Sequence, residues 1–251
     1  MLAGRNKLTL PNPVTQAGTF LIDIGAQICR TSNKSGTRVL STVEDKVVQD
    51  ITGEEGTGVW SNEEAVIHHI PAPTLNIAHD LRLASADRDQ RIRAKKIMDA
   101  DFSPQSLGLS GEEKNRLLED LHTATYTACL ASYVQGMNVI EQADRANKWN
   151  VDYSAVVQIW RAGCIIQADH IADMLEPIVA KHTQEDSLNL LFQPSVGKEL
   201  KQGLPCLRRV VAKAVGADHV VPALSASLEY IKYQTNTGTS LVGAADGSLS
   251  R

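Results

Sequence analysis

Several absences narrow what this chain can be. Its 251 residues carry 25 lysines and arginines against 29 aspartates and glutamates, a net charge of −4, so there is no cationic excess of the kind that holds nucleic acid. No apolar run is long enough to span a bilayer, and the opening Met1 to Lys7 leads into no uninterrupted hydrophobic segment of the signal-peptide kind. The expectation is a cytoplasmic protein with no membrane span. Cys29, Cys129, Cys164 and Cys206 are scattered without the paired spacing of a zinc or redox motif and are expected as buried thiols. Cys164 lies in an apolar helical context, where burial raises a thiol pKa and gives no support for a nucleophile. Gly56-x-Gly58 is too short for a dinucleotide fingerprint, and no serine, histidine and aspartate combine into a triad without arbitrary choices. His68 and His69 are adjacent, so they point in different directions on a helix, and no third metal ligand is evident. No cofactor and no metal are expected.

What is there is mostly helix, with no alternating strand pattern of useful length. Residues 1–18 read as an extended lead-in around Pro11 and Pro13, with a first helix expected from about Val14. Ser61-Asn62-Glu63-Glu64 and Ser110-Gly111-Glu112-Glu113 both have capping-box spacing and predict helix starts. Residues 75–99 are helix-compatible and rich in cations, from Arg82 to Lys96, which reads as a solvated face. Leu117, Leu118, Leu121, Leu130, Tyr133, Met137 and Ile140 recur at helical steps, and Asp152 is placed to cap a long helix carrying Val156 through Leu175. Shorter helices are expected from Pro205 and Pro222. The fold class is therefore all-α: one domain over 19–235, followed by a tail, 236–251, of small residues expected to be flexible.

Five ordered blocks carry a family resemblance: Phe20-Leu21-Ile22-Asp23-Ile24, Gly56-Thr57-Gly58-Val59-Trp60, Ser132-Tyr133-Val134-Gln135-Gly136, Trp160-Arg161-Ala162-Gly163-Cys164-Ile165-Ile166 and Leu207-Arg208-Arg209. Together they resemble the helical C-terminal domain of 6-phosphogluconate dehydrogenase. The resemblance implies a large helical domain that forms a homodimer. It also implies that the chain opens with that domain already under way, so the family's nucleotide-binding domain and its catalytic lysine, asparagine, histidine and glutamate have no counterpart in it. In the family a lysine that binds the sugar phosphate precedes the glycine-threonine-glycine loop; this chain has Glu55 there. A carboxylate opposite phosphate costs several kcal/mol, on the order of a thousandfold in affinity. Arg82 matches the family's other phosphate-binding arginine by ungapped counting, and Asp89-Gln90-Arg91 continues that match. The family's tail lends an arginine and a histidine to the partner's substrate; after Tyr233 this chain has only Arg251.

Two meanings of Glu55 and Arg82 stay open: a structural or solvated ion pair, or a ligand site in which Arg82 donates hydrogen bonds while Glu55 orients the ligand. His79, three residues before Arg82, shares its helix face and is the best histidine candidate. Arg82 and His79 are thus the catalytic candidates, with Glu55, Thr57 and Trp60 as substrate-binding candidates, although core packing is the commoner fate of a tryptophan such as Trp60. Asp169, His170 and Asp173 read as a solvated polar patch. The reading that follows is a repurposed helical domain acting as a cofactor-independent enzyme on a small, largely apolar biosynthetic intermediate. A cyclase or pericyclase of Diels–Alder type fits, because such chemistry needs shape and one activating hydrogen bond. A non-catalytic dimeric scaffold is the alternative, and dehydrogenase activity completed in trans ranks last.

Overall fold

The computed structural model describes residues 18–42, 57–99, 102–183 and 186–238. Among these, nine α-helices and two short 3₁₀ turns account for the regular structure, and the only bridge pairs are two isolated ones, Thr19 with Ala168 and Ser32 with Arg38. The all-α class holds. The helices are α1 (Phe20–Arg30), α2 (Thr57–Ile67), α3 (Pro73–Ala86), α4 (Arg88–Met98), α5 (Gly111–Asn147), α6 (Tyr153–Ala162), α7 (Asp169–Val179), α8 (Pro194–Val215) and α9 (Pro222–Thr235).

The spine is α5, whose 37 residues span about 55 Å at 1.5 Å per residue. Leu130, Val134 and Met137 lie on its fully buried stripe, where α8 brings Leu200 and Leu207 and α9 brings Leu228, Tyr230 and Ile231. The helices α5 and α8 cross closely because Gly203 has no side chain: a Cβ there would stand 1.8 Å from Thr127 Oγ1. Toward the start of α5 the stripe outruns the core, so Leu118 and Leu121 stand exposed while Leu117 sits at the core's margin, as Ile140 does further along the helix.

Buried polar groups tie the remaining elements to this spine. The residue preceding α3, Ala72, has no side chain with which to cap it, and Gln135 of α5 takes over. Gln135 Oε1 accepts from the Thr74 amide at 2.9 Å, and its Nε2 donates to Thr74 Oγ1, also at 2.9 Å. Thr74 Oγ1 in turn lies 2.9 Å from Ser227 Oγ of α9. At the other end of α5, Glu141 Oε1 accepts from the Leu188 amide at 2.8 Å and from Arg145 Nε at 3.0 Å. Asp144 accepts from the Tyr153 hydroxyl at 2.7 Å and from the Val151 amide at 3.2 Å. Burial pushes the Asp144 carboxyl upward, but the hydrogen bonds from Tyr153 and from three loop amides outweigh it and hold it below the usual carboxylate range.

Several expected boundaries move. Val14 lies outside the described residues, and the first described helix begins at Phe20, capped by Thr19 Oγ1, which accepts from the Ile22 amide at 3.2 Å. Helix α2 already begins at Thr57, so Ser61 is interior and donates to the Gly58 carbonyl at 3.1 Å instead of capping. Ser110 does precede α5, but its side chain makes no capping bond. The charged stretch divides at Asp87, which ends α3 and accepts from the Gln90 amide at 2.8 Å to open α4. Asp152 caps α6 as expected, yet that helix ends at Ala162 rather than running to Leu175. The backbone freed by this break is used: Ile166 O accepts from the Tyr133 hydroxyl, and Gln167 O accepts from the Phe20 amide at 3.2 Å, fixing the start of α1. Pro205 lies inside α8, which starts instead at Pro194; Pro222 does start α9. Among the cysteines, Cys29 is exposed, contrary to expectation, and the other three are partly covered. Burial pushes the Cys129 thiol up.

Candidate functional site

The seam between α2 and α3 carries the sequence-derived candidates that fall in the described residues. Gly58 is in α2 because His79 of α3 needs the room: a Cβ on Gly58 would stand 2.6 Å from His79 Nδ1. The imidazole therefore lies against the α2 backbone beside Thr57, half-buried, and no hydrogen bond joins it to the described residues. Arg82 follows one turn along α3 and is exposed, as is Thr57. Thr57, His79 and Arg82 are thus brought to one end of the seam. Glu55 lies outside the described residues, so its relation to Arg82 stays an expectation.

Trp60 corrects the packing expectation, for its side chain is 65% exposed. The indole is thus outside the core, and Ala65 is the residue of that helix that is buried. Val66 and Ile67 are similarly exposed, giving α2 an apolar surface beside the polar seam.

Two residues not singled out from the sequence complete the seam. Asn62 is four residues after Gly58 and Asn76 three before His79, so each lies on the face of its helix that these residues mark. Asn62 Oδ1 and Asn76 Oδ1 are both buried without a hydrogen-bond partner among the described residues. A buried amide oxygen left unpaired costs about 1–3 kcal/mol, so each of the two is a cost that the described residues leave uncompensated. The signal in the sequence was the helical offset of each asparagine from Gly58 and His79, obscured because Asn62 reads as part of a capping box.

Several other histidines and arginines form pairs that tie elements together. His68 Nε2 pairs with Glu64 at 3.1 Å one turn away on α2. His170 does not share a patch with Asp173: its Nε2 lies 3.4 Å from Glu199 Oε1, and its ring packs edge-on against Tyr126. Asp173 instead receives Arg161, which also donates to Glu176 at 2.7 Å and so locks α6 to α7. Arg209 donates from Nε to Asp120 at 2.8 Å, joining α8 to α5; this guanidinium holds the Asp120 carboxyl below its ordinary range. Among the described residues no group of three or more histidines, cysteines or carboxylates comes together to hold a metal ion, and no helix is long and apolar enough to cross a membrane. A cleft of about 760 Å³ lies elsewhere, between the end of α7 and the start of α8, and none of the α2–α3 residues lines it.

Comparison with known proteins agrees with this architecture. The family description "6-phosphogluconate dehydrogenase, C-terminal domain" matches residues 13–244. A decarboxylating 6-phosphogluconate dehydrogenase of Emericella nidulans is 37% identical over 229 residues, covering 87% of this chain and 45% of that protein. One from Spinacia oleracea is 34% identical over 213 residues, with 84% and 42% covered. The structure of the Plasmodium falciparum enzyme superimposes with a TM-score of 0.75 at 28% identity, over 91% of this chain and 47% of that one. The chain thus spans less than half the length of these relatives.

Proposed function

The chain belongs to the 6-phosphogluconate dehydrogenase family through that family's helical C-terminal domain, and we propose that this domain has been turned to different chemistry, in which it holds a small, largely apolar intermediate at the α2–α3 seam and guides its cyclisation without a nicotinamide cofactor. The observation that carries the reading is the pair of buried, unpartnered oxygens of Asn62 and Asn76 in the seam that also holds His79. The oxygens accept from a hydroxyl or amide of the substrate. Arg82, with His79 or Thr57, donates to a carbonyl. Exposed Trp60 supplies an apolar wall. A hydrogen bond to a carbonyl conjugated with an alkene lowers the barrier to cycloaddition, and a fixed folded conformer removes much of the entropic cost. In a Diels–Alder step two σ bonds form at the expense of two π bonds, so nothing leaves and nothing is oxidised. The reading thus asks no proton transfer of the site.

Glu55 argues against the phosphorylated sugar of the relatives, because a carboxylate stands where the family presents an ammonium. The test is a thermal-shift screen with 6-phosphogluconate, NADP and a panel of polyunsaturated carbonyl compounds, followed by a search for isomeric product. A compound present at a hundred times its Kd stabilises by about 2.7 kcal/mol. We expect a polyene to do so and Arg82→Ala to reduce the shift. Stabilisation by 6-phosphogluconate alone overturns the proposal.

A second reading is favoured by α1, in which no residue is buried although Leu21 and Ile22 are about half exposed. That helix has the character of a docking surface, and a homodimer or a scaffold for another protein would cover it. No ligand response in a protein that sizes as a stable dimer, with the dimer lost in Ile22→Glu, would support the scaffold over the cyclase.

A further inference from the structure

The cleft of about 760 Å³ between α7 and α8 lies within the range of about 300–1,000 Å³ typical of small-molecule sites. Its wall is apolar along Met174, Ile178, Leu188 and Phe192, and its far end is polar at Lys181 and His182. Met174 and Ile178 are one turn apart on α7, so they form a continuous strip. Phe192, on the 3₁₀ turn at Leu190–Phe192, lines the cleft and is 73% exposed.

The polar end carries one charge of each sign, Lys181 and Asp186. Lys181 makes no ion pair with the described residues, and His182 packs its ring edge-on against Tyr153 at 5.1 Å between centroids. Asp186 lines the same cleft and keeps its carboxylate charge: its Oδ2 accepts from the neutral Thr183 hydroxyl at 2.9 Å, and only its backbone carbonyl accepts from Arg145. Helix α8 opens at Pro194; Gln193 and Ser195 border the same cleft, and Gln193 supplies no side-chain cap to the first turn of the helix. Lys181 and the first turn of α8, which has no side-chain cap, supply donors for one carboxylate, while a second negative charge would face Asp186. A phosphate, with two charges and three oxygens, calls for an arginine fork or several lysines, which this lining lacks.

We infer that this cleft binds an apolar monocarboxylate, with the carboxylate on Lys181 and the hydrocarbon chain laid along Met174, Ile178 and Phe192. The inference is independent of the α2–α3 seam, since the two sites share no residue.

The probe is dodecanoate, titrated calorimetrically into the full chain below its micelle concentration, with dodecyltrimethylammonium as the opposite-charge control. Saturable binding of one dodecanoate is expected, at least tenfold weaker in Lys181→Gln and several-fold weaker in Phe192→Ala, with no change in Arg82→Ala. Lys181 and Phe192 are both exposed, so neither substitution disturbs the core. Absence of saturable binding, equal affinity for the cationic detergent, or indifference to both cleft substitutions would overturn the inference. Loss in Arg82→Ala alone would overturn it too, assigning the probe to the seam.

Discussion

Helices α1 and α8 are both amphipathic, and α1 is the more apolar of the two, yet α8 buries seven residues and α1 none. The difference lies in partners. Helix α8 crosses α5 at a glycine and presses Leu200, Leu207 and Val210 into its grooves. Phe20, Leu21, Ile22 and Ile28 of α1 are all exposed. Helix α4 repeats the contrast, for none of its residues is buried and Ile92, Ile97 and Met98 stand in the open. Apolarity makes a helix capable of burial, while geometry decides whether burial occurs. The C-terminal half therefore holds its fold by its own core, while α1 and α4 leave apolar side chains exposed among the described residues.

The largest test of this contrast uses two glycines. Gly203→Ala forces a Cβ onto Thr127, where overpacking costs about 1–3 kcal/mol and occasionally more. We expect the upper part of that range, read as a lower denaturant midpoint, with partial recovery when Thr127→Ala is added. Gly25→Ala in α1 meets nothing within 4 Å, so the gain in helix propensity of about 0.5–1 kcal/mol goes unopposed and stability rises slightly. Equal responses at the two glycines would erase the distinction between the halves.

Gln135 joins the halves, which makes it the next most sensitive position. Gln135→Leu removes the bonds to the Thr74 amide and hydroxyl and leaves the buried Thr74 amide donor unsatisfied, at about 1–3 kcal/mol, while the hydroxyl keeps Ser227. The comparison sharpens if the loss is local. Amide exchange should accelerate most in α3 while α8 keeps its protection, and uniform acceleration would show that α3 is no looser than the core.

How legible this was follows from the same residues. The class, the α5 stripe through Leu130 and Met137, the Asp152 cap and the Pro222 start could be read because each depends on neighbours within a few positions. The break after Ala162 could not, because its backbone groups are satisfied by Tyr133 and Phe20, far away in the chain. Gln135 as the cap of α3 is hidden for the same reason, at a separation of 61 residues. In the candidate site, the shared position of His79 and Arg82 on α3 was readable from their spacing. The contact of His79 with Gly58 and the unpaired oxygens of Asn62 and Asn76 required the pairing of α2 with α3. Trp60 misled because the habit of tryptophan is burial, and α2 turns it outward.

The smallest effect is expected from a carboxylate in each half. Asp144 is buried, and its folded pKa is held below the unfolded value of about 3.9. A depressed pKa contributes stability that is fully present above the unfolded value and is lost as pH falls through the folded one. In Asp144→Asn the amide oxygen still accepts from Tyr153, so the loss near neutrality should be about 1 kcal/mol. That gap should begin to close as pH falls below about 4 and go on closing until Asp144 of the native protein is protonated at its lower, folded pKa, since the variant has nothing to titrate there. Asp87→Asn at the exposed α3–α4 junction keeps a capping oxygen for the Gln90 amide and should move the midpoint by less than about 0.5 kcal/mol. A gap at Asp144 that stayed constant into acid would mean that its hydrogen bonds contribute through shape rather than charge, and the link between α5 and α6 would then be no more pH-sensitive than the exposed junction.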